Sequence, residues 1–106
     1  MATQTELRRI VRRPLAAAVE VTDAKSGERL ASVTSDVGLF GCFVETEVPF
    51  PNGAAVNVKI THHNKTFSTA GSVAHVLPRK GMGIAYGALT RTGYAILQEW
   101  LAPEKV

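Results

Sequence analysis

Short runs of strand-forming residues alternate with turn-forming clusters throughout residues 15–89, and this alternation constrains the fold more than any other feature. In AVNVKIT, the residues Val56, Val58 and Ile60 fall on one face and polar residues on the other. Similar runs are LAAAVEVT, RLASVTSD, FGCFVETE, TFSTAGSVAHV and MGIAYGAL, separated by the turns DAKSGE, PFPNGA, HHNK and LPRKG. Strands separated by turns every ~8–12 residues predict a barrel or sandwich of about six strands.

The last part of the sequence changes to a helical period. In TRTGYAILQEWLA, four apolar residues recur at helical spacing: Ile96, Leu97, Trp100 and Leu101. Thr92 is the predicted N-cap and Pro103 the predicted stop. One helix can plug or flank a small barrel but cannot cover a large sheet. We therefore predict a single domain with an arm (1–13), a barrel (14–89) and a C-terminal helix (90–102).

Composition narrows the class of protein. The chain has 106 residues, of which 45% are hydrophobic and 20% charged, as in an ordinary one-domain globular protein. A bilobal enzyme with a deep cleft is not expected at this length. No apolar run approaches the ~20 residues of a membrane span, and the N-terminus lacks the apolar core of a secretory signal. We expect a cytoplasmic protein without membrane insertion.

The positive charge is concentrated at one end of the chain. Of twelve Lys and Arg and nine Asp and Glu, residues 1–13 hold four arginines and one acidic residue, Glu6. The rest of the chain holds eight of each sign and is neutral. Proteins that follow long nucleic acids usually spread basic residues over a face or groove. A compact group of arginines is more typical of an anion clamp.

Catalytic and metal-binding patterns are lacking in the sequence. His62 and His63 fall in a polar turn, where we expect adjacent side chains to diverge into solvent. Cys42 lies among strand residues and is expected to be buried and inert, and a single cysteine excludes an internal disulfide. No nucleophile-elbow, zincin or P-loop pattern occurs. The prediction is a protein that is not an enzyme and that holds no metal and no cofactor.

The arginine arm is the first candidate binding element. Its four arginines form two interleaved pairs spaced four apart: Arg8, Arg9, Arg12 and Arg13. A guanidinium group offers a planar fork of donors that suits phosphate oxygens and the acceptor edge of guanine, and it can stack on a base. The alternative is a solvated, frayed terminus.

The second candidate element is SDVGLFG, because Asp36, Gly38 and Gly41 interrupt a run that is otherwise suited to a strand. The glycines predict a bulge or bend, or a place where a ligand phosphate approaches backbone N–H groups. An Asp36 carboxylate can accept two hydrogen bonds from guanine. The alternative is a bulged turn in which Asp36 caps its own loop. Gly71, inside a long predicted strand, also predicts a bend or bulge.

Together these elements resemble the PilZ domain, a bacterial module that binds cyclic di-GMP. The family signature is an Arg-x-x-x-Arg arm followed by (Asp/Asn)-x-Ser-x-x-Gly. RRIVRRP has the arm spacing twice, from Arg8 to Arg12 and from Arg9 to Arg13, and DVGLFG matches the second motif at Asp36 and Gly41. The later segments GCFVET, PNGAAVNVKI, GSVAHV, GMGIAY and YAILQEWL also resemble the family, so the likeness covers the whole chain.

The resemblance implies a six-stranded antiparallel β-barrel with a C-terminal α-helix and an arm that folds over one rim. The residues that it implies for ligand binding are Arg8, Arg9, Arg12 or Arg13, Asp36, and the backbone at Gly38 and Gly41. His75 lies near a strand position where family members often carry an aromatic residue. A stacking role and a plain strand histidine are both open for it.

Gly38 departs from the family pattern, because the motif has serine at this position. A neutral hydrogen bond contributes ~0.5–1.5 kcal/mol, whereas bonds to charged groups contribute ~1.5–3 kcal/mol. The loss of the hydroxyl is therefore expected to weaken ligand binding without abolishing it, provided that the arginines and Asp36 remain.

The main hypothesis is a cyclic di-GMP receptor that changes conformation on binding and signals to an unidentified protein partner. The alternative is a PilZ-like adaptor that no longer binds nucleotide. A third hypothesis, a barrel that binds single-stranded nucleic acid, requires exposed aromatics and a basic groove. With seven aromatic residues and a neutral body, no DNA or RNA partner is expected. Whether one ligand or a stacked pair binds stays open.

Overall fold

A computed structural model describes residues 12–102 as seven strands followed by one helix. The elements are β1 (Arg12–Pro14), β2 (Ala18–Asp23), β3 (Arg29–Gly38), β4 (Gly41–Glu45), β5 (Ala55–His62), β6 (Lys65–Leu77), β7 (Gly81–Tyr86) and α1 (Arg91–Leu101). Six of the strands form a closed antiparallel barrel, so the predicted fold class is confirmed, with one additional short strand.

The barrel closes because β3 pairs with two different strands. The order β3-β2-β5-β6-β7-β4 returns to β3 through the β3–β4 pairing, and every pairing is antiparallel. Two strands pair with β3 along the same edge. Strand β2 pairs with residues 29–33, and the additional strand β1 pairs with residues 36–38. Arg12 and Arg13, which we predicted as the end of the arm, therefore belong to the sheet.

Two β-bulges bend the barrel. The β3–β4 register shifts between Thr34 and Asp36, so Ser35 is the extra residue of the first bulge. The β6–β7 register shifts between Val73 and His75. Each extra residue changes which side chains face outward from that point along the strand.

The sequence had suggested bulges at glycines, but neither bulge lies at a glycine. The first precedes Gly38, and the second follows Gly71. Gly71 pairs in regular register with Val56 and with Tyr86. A side chain there would overlap the carbonyl oxygen of Ala85 on β7. Close contact between neighbouring strands, rather than a bend, accounts for Gly71.

Alternating residues of the strands fill the barrel. Val56, Val58 and Ile60 are buried, as their alternation predicted, and Phe67 and Met82 face them from β6 and β7. The buried side chains of α1 are Leu97, Trp100 and Leu101, so the helix closes one part of this core. Among the described residues, no helix combines the length and apolar character needed to cross a membrane.

Helix α1 begins two residues earlier than the predicted N-cap requires. Thr90, not Thr92, caps the helix, because its hydroxyl accepts a hydrogen bond from the Gly93 amide at 2.9 Å while its own backbone is extended. Thr92 lies inside the first turn. The helix ends at Leu101, and Pro103 lies outside the described residues.

Candidate functional site

Five residues, each from a different strand, form one row across the outer face of the barrel. In the sheet register Pro14 pairs with Asp36, Asp36 with Phe43, Phe43 with Gly83, and Gly83 with His75. Directly paired residues project from the same face of a sheet. The structure therefore brings together Asp36 and His75, two of the predicted site residues, although they are far apart in the sequence.

Arg12 joins this row from β1. It pairs with Gly38, two positions from the Pro14–Asp36 pair, so its side chain projects from the same face as Asp36. Its Nε donates to Oδ1 of Asp36 at 2.6 Å, and the two side chains are 47% and 31% exposed. Ion pairs this exposed typically contribute ~0.2–1 kcal/mol. The pair is formed, but it can be exchanged for another partner at small cost.

Arg13 points away from the site. Neighbouring side chains in a strand project to opposite faces, and Arg13 Nη1 donates to the carbonyl oxygens of Trp100 at 3.0 Å and Ala102 at 3.3 Å. These carbonyls end helix α1, where the helix dipole favours a cation. The structure thus separates the roles of Arg12 and Arg13. The predicted ligand residues Arg8 and Arg9 lie outside the described residues.

The two motif glycines lie at either side of the β3–β4 turn. Gly38 ends β3 opposite Arg12, and Gly41 begins β4 opposite Ala85. A side chain at Gly41 would overlap the carbonyl oxygen of Ile84 on β7. The packing of β4 on β7 therefore requires Gly41, whether or not a ligand lies beside it.

Phe43 is a residue of this face that the sequence reasoning missed. Its ring centroid lies 5.9 Å from that of His75, and the ring planes are inclined by 31°. Side chains at Gly81 and Gly83 would overlap the rings of Phe43 and His75, respectively. The two rings thus lie across the glycines of β7 and form an aromatic platform next to Asp36. The glycine pair in GMG was the sequence signal for it.

An apolar groove of about 510 Å³ adjoins the row at the β3–β4 turn. Its lining residues include Leu39, Phe40, Tyr86, Leu89 and Tyr94. Phe40 is 71% exposed at the tip of the turn. The site face therefore combines an ion pair and an aromatic platform, and the groove begins at Leu39, which follows Gly38 in the sequence.

Cys42 lies between Gly41 and Phe43 in the sequence. Its side chain faces the interior and is fully buried. Burial raises the pKa of its thiol to about 12. Burial therefore disfavours the thiolate form of Cys42 in the folded protein.

We predicted that the side chains of His62 and His63 diverge, and this prediction is wrong. Their rings stack with centroids 3.9 Å apart, because His63 and Asn64 both adopt positive φ angles in a tight turn between β5 and β6. The His62 ring also meets the Trp100 ring edge-on at 5.6 Å. Burial lowers the pKa of His62, and the nearby charges of His63 and Arg13 lower it further. These histidines lie against the end of α1, not in the site row.

Several solved structures share this fold. Inhibitor of motility (MotI/DgrA) of Bacillus subtilis matches with a TM-score of 0.72 and 14% identity, over 86% of this chain and 47% of that chain. The chain thus spans about half the length of MotI/DgrA. The PilZ domain of CeSA from a cellulose-synthesizing bacterium matches with a TM-score of 0.64 and 17% identity, over 85% of this chain and 92% of that chain.

At such low identities, these two likenesses establish the fold only. No curated protein sequence matches the chain. The PilZ domain family, by contrast, matches the sequence over residues 6–102, which include the arginine arm, the barrel and the helix. With the barrel, the closing helix and the two motifs in the family order, the chain belongs to the PilZ domain family.

Proposed function

We propose that this domain is a cyclic di-GMP receptor that acts on a protein partner. The observation that carries the proposal is the exposed Arg12–Asp36 pair beside the Phe43–His75 platform. A ligand with two phosphates and two guanines needs a cation for phosphate, a carboxylate for the guanine N–H groups and a flat surface for stacking. All three lie on one face, and the domain belongs to a family that binds this ligand.

Ligand binding would begin by exchanging one ion pair for two interactions. Arg12 would move from Asp36 to a phosphate or guanine of the ligand, and the released carboxylate of Asp36 would accept from a guanine edge. The exchange is feasible because the existing pair is exposed and weak. Arg8 and Arg9, which lie outside the described residues, would supply further cations.

Gly38 would reduce the affinity of this site. It stands opposite Arg12 at the end of β3 and offers no hydroxyl group to the ligand. The missing neutral hydrogen bond corresponds to ~0.5–1.5 kcal/mol, or roughly a threefold to tenfold weaker Kd than a serine would give.

The partner would be a protein, because domains of this family act as receptor and adaptor modules. One structural neighbour is named as an inhibitor of motility and the other comes from a cellulose-synthesizing bacterium. We therefore propose a motility or exopolysaccharide system as the place to search for the partner.

Two features of the site favour a second function. Arg12 is already neutralised by Asp36, and Gly38 has replaced the motif serine, as expected if the site had lost its ligand. The domain would then be an adaptor whose site face binds protein directly.

Calorimetric titration with cyclic di-GMP separates the two functions. We expect saturable binding to the wild-type protein and a Kd weakened by about tenfold to a hundredfold in Arg12→Ala and in Asp36→Asn, since bonds to charged groups contribute ~1.5–3 kcal/mol. Arg29→Ala is the matched control, because Arg29 is exposed at the opposite end of β3.

The control variant should bind as the wild type does. No heat at high ligand concentration would reject the receptor function in favour of the adaptor. An equal loss of affinity in Arg29→Ala would mean that binding reflects general charge attraction rather than this site.

A further inference from the structure

Strand β1 connects the site face to the end of the C-terminal helix. Arg12 engages Asp36 on one side of the strand, and the next residue, Arg13, engages the last carbonyls of α1 on the other. We infer that β1 couples the two places: when a ligand takes Arg12 from Asp36, Arg13 withdraws from the helix and releases its C-terminal end. This inference rests on the proposed receptor function and adds its means of signalling.

The helix end depends on Arg13 for its charge complement. No basic residue lies in the last turn of α1, so Arg13 alone among the described residues donates a charged hydrogen bond to the carbonyls there. The only ion pair between the helix and the barrel in residues 12–102 joins Lys65 to Glu99 at 2.7 Å, and both side chains are about half exposed. Withdrawal of Arg13 would thus remove the main polar tether.

The geometry of β1 suits it to movement. The strand has three residues, and among the described strands it pairs with β3 alone. Pro14 contributes no backbone N–H to that pairing. Because Arg12 and Arg13 project in opposite directions from adjacent positions, a rotation of β1 that draws Arg12 out towards a ligand turns Arg13 away from the helix.

The helix end is also poised for release. Trp100 Nε1 is buried and has no acceptor within the described part of the chain. An unpaired buried donor is unfavourable, so exposure of Trp100 to water recovers a hydrogen bond. Release would uncover the apolar surfaces of Trp100 and Leu101, which are now 5% and 6% exposed. A partner with a complementary apolar surface would recognise the ligand-bound form.

The single tryptophan of the chain makes the coupling measurable. We would follow Trp100 emission and its quenching by acrylamide while cyclic di-GMP binding is measured by calorimetry on the same samples. On saturation, the emission of the wild-type protein should shift to the red, and quenching should increase.

Arg13→Gln removes the tether without a ligand. Its Trp100 emission should already resemble that of the ligand-bound wild type, and its affinity for ligand should rise by up to about tenfold, since the ligand no longer works against the tether. Arg13→Lys keeps the charge and should restore most of the wild-type emission. The matched control is Lys65→Gln, which loosens the same helix without contacting β1 and should bind ligand as the wild type does.

Three results would overturn the coupling: saturable binding without a change in Trp100 emission, a weaker affinity in Arg13→Gln, or an equal gain of affinity in Lys65→Gln. Weaker binding in Arg13→Gln would make Arg13 a ligand residue instead.

Absence of heat with the wild type would reject the receptor function, and the coupling is then decided without ligand. Asp36→Asn frees Arg12 and should shift Trp100 emission towards that of Arg13→Gln. Unchanged emission in Asp36→Asn would overturn the coupling independently of cyclic di-GMP.

Discussion

The amide of Ala17 donates to the side-chain hydroxyl group of Thr34 and not to the backbone carbonyl of a neighbouring strand. Thr34 Oγ1 accepts from the Ala17 amide at 3.0 Å and donates to the carbonyl oxygen of Leu15 at 2.6 Å. These two backbone groups belong to the irregular segment between β1 and β2, where the ladder along β3 is interrupted. Thr34 is 1% exposed, so water does not replace these bonds in the folded protein. One buried hydroxyl therefore helps to hold the segment that connects β1 to β2.

Thr34→Val should be destabilising although it conserves the shape of the side chain. It leaves a buried amide and a carbonyl oxygen without this partner, at a cost of about 1–3 kcal/mol in the free energy of unfolding. Urea denaturation measures the change. Thr34→Ser retains the hydroxyl and should lose less. Equal stability of the valine variant and the wild type would show that the two backbone groups find other partners.

Gly41→Ala and Gly83→Ala should differ in their effect on stability. An alanine side chain at Gly41 overlaps a backbone carbonyl of β7, which can yield only if two strands move apart, whereas at Gly83 it overlaps the His75 ring, which can rotate. We expect a loss of about 1–3 kcal/mol for Gly41→Ala and less than about 1 kcal/mol for Gly83→Ala. Thermal or urea unfolding of both variants checks this, and equal losses would contradict it.

Stability should fall as pH drops through the titration range of His62. The folded-state pKa of His62 is lowered, so between it and the unfolded value of about 6.5 the unfolded chain binds more protons. The contribution of His62 to the free energy of unfolding is thus fully present above about pH 6.5 and is lost towards lower pH. His62→Gln should flatten the pH dependence of the free energy of unfolding in this window. An unchanged slope in the variant would assign it to another group.

Cys42 should resist alkylation in the native protein. It is fully buried and its pKa is raised to about 12 by burial, so both access and thiolate formation are suppressed. Iodoacetamide labelling followed by mass spectrometry should be slow under native conditions and complete in denaturant. Native labelling at the rate of a free thiol would show that the β4 region opens readily.

The sequence was sufficient for the barrel because each strand carries its own signal. AVNVKIT alternates every second residue, and its turn neighbours contain glycine, asparagine or proline, so strand and turn are both local properties. Asp36 and His75 were also predictable as candidates, Asp36 from its motif and His75 from the resemblance to the family. Their position in one row depends on register and on two bulges, which a single sequence does not specify.

Arg13 illustrates what could not be predicted. Its spacing from Arg9 equals that of Arg12 from Arg8, so the two arginines were equivalent in sequence. Only the alternation of β1 and a contact with residues 87 and 89 positions away separate them. The N-cap depended in the same way on tertiary structure, because Thr90 and Thr92 are both capping residues by type.

The contact between Arg13 and Ala102 also means that the described domain begins and ends at the same place on its surface. A polypeptide that enters the barrel at β1 leaves it beside its point of entry. Such an arrangement lets a domain sit within a loop of a larger protein without separating the two sides of that loop. It also allows the two ends to be joined by a short linker and the chain to be opened at the exposed Asn52–Gly53 turn, with every strand pairing of the barrel retained.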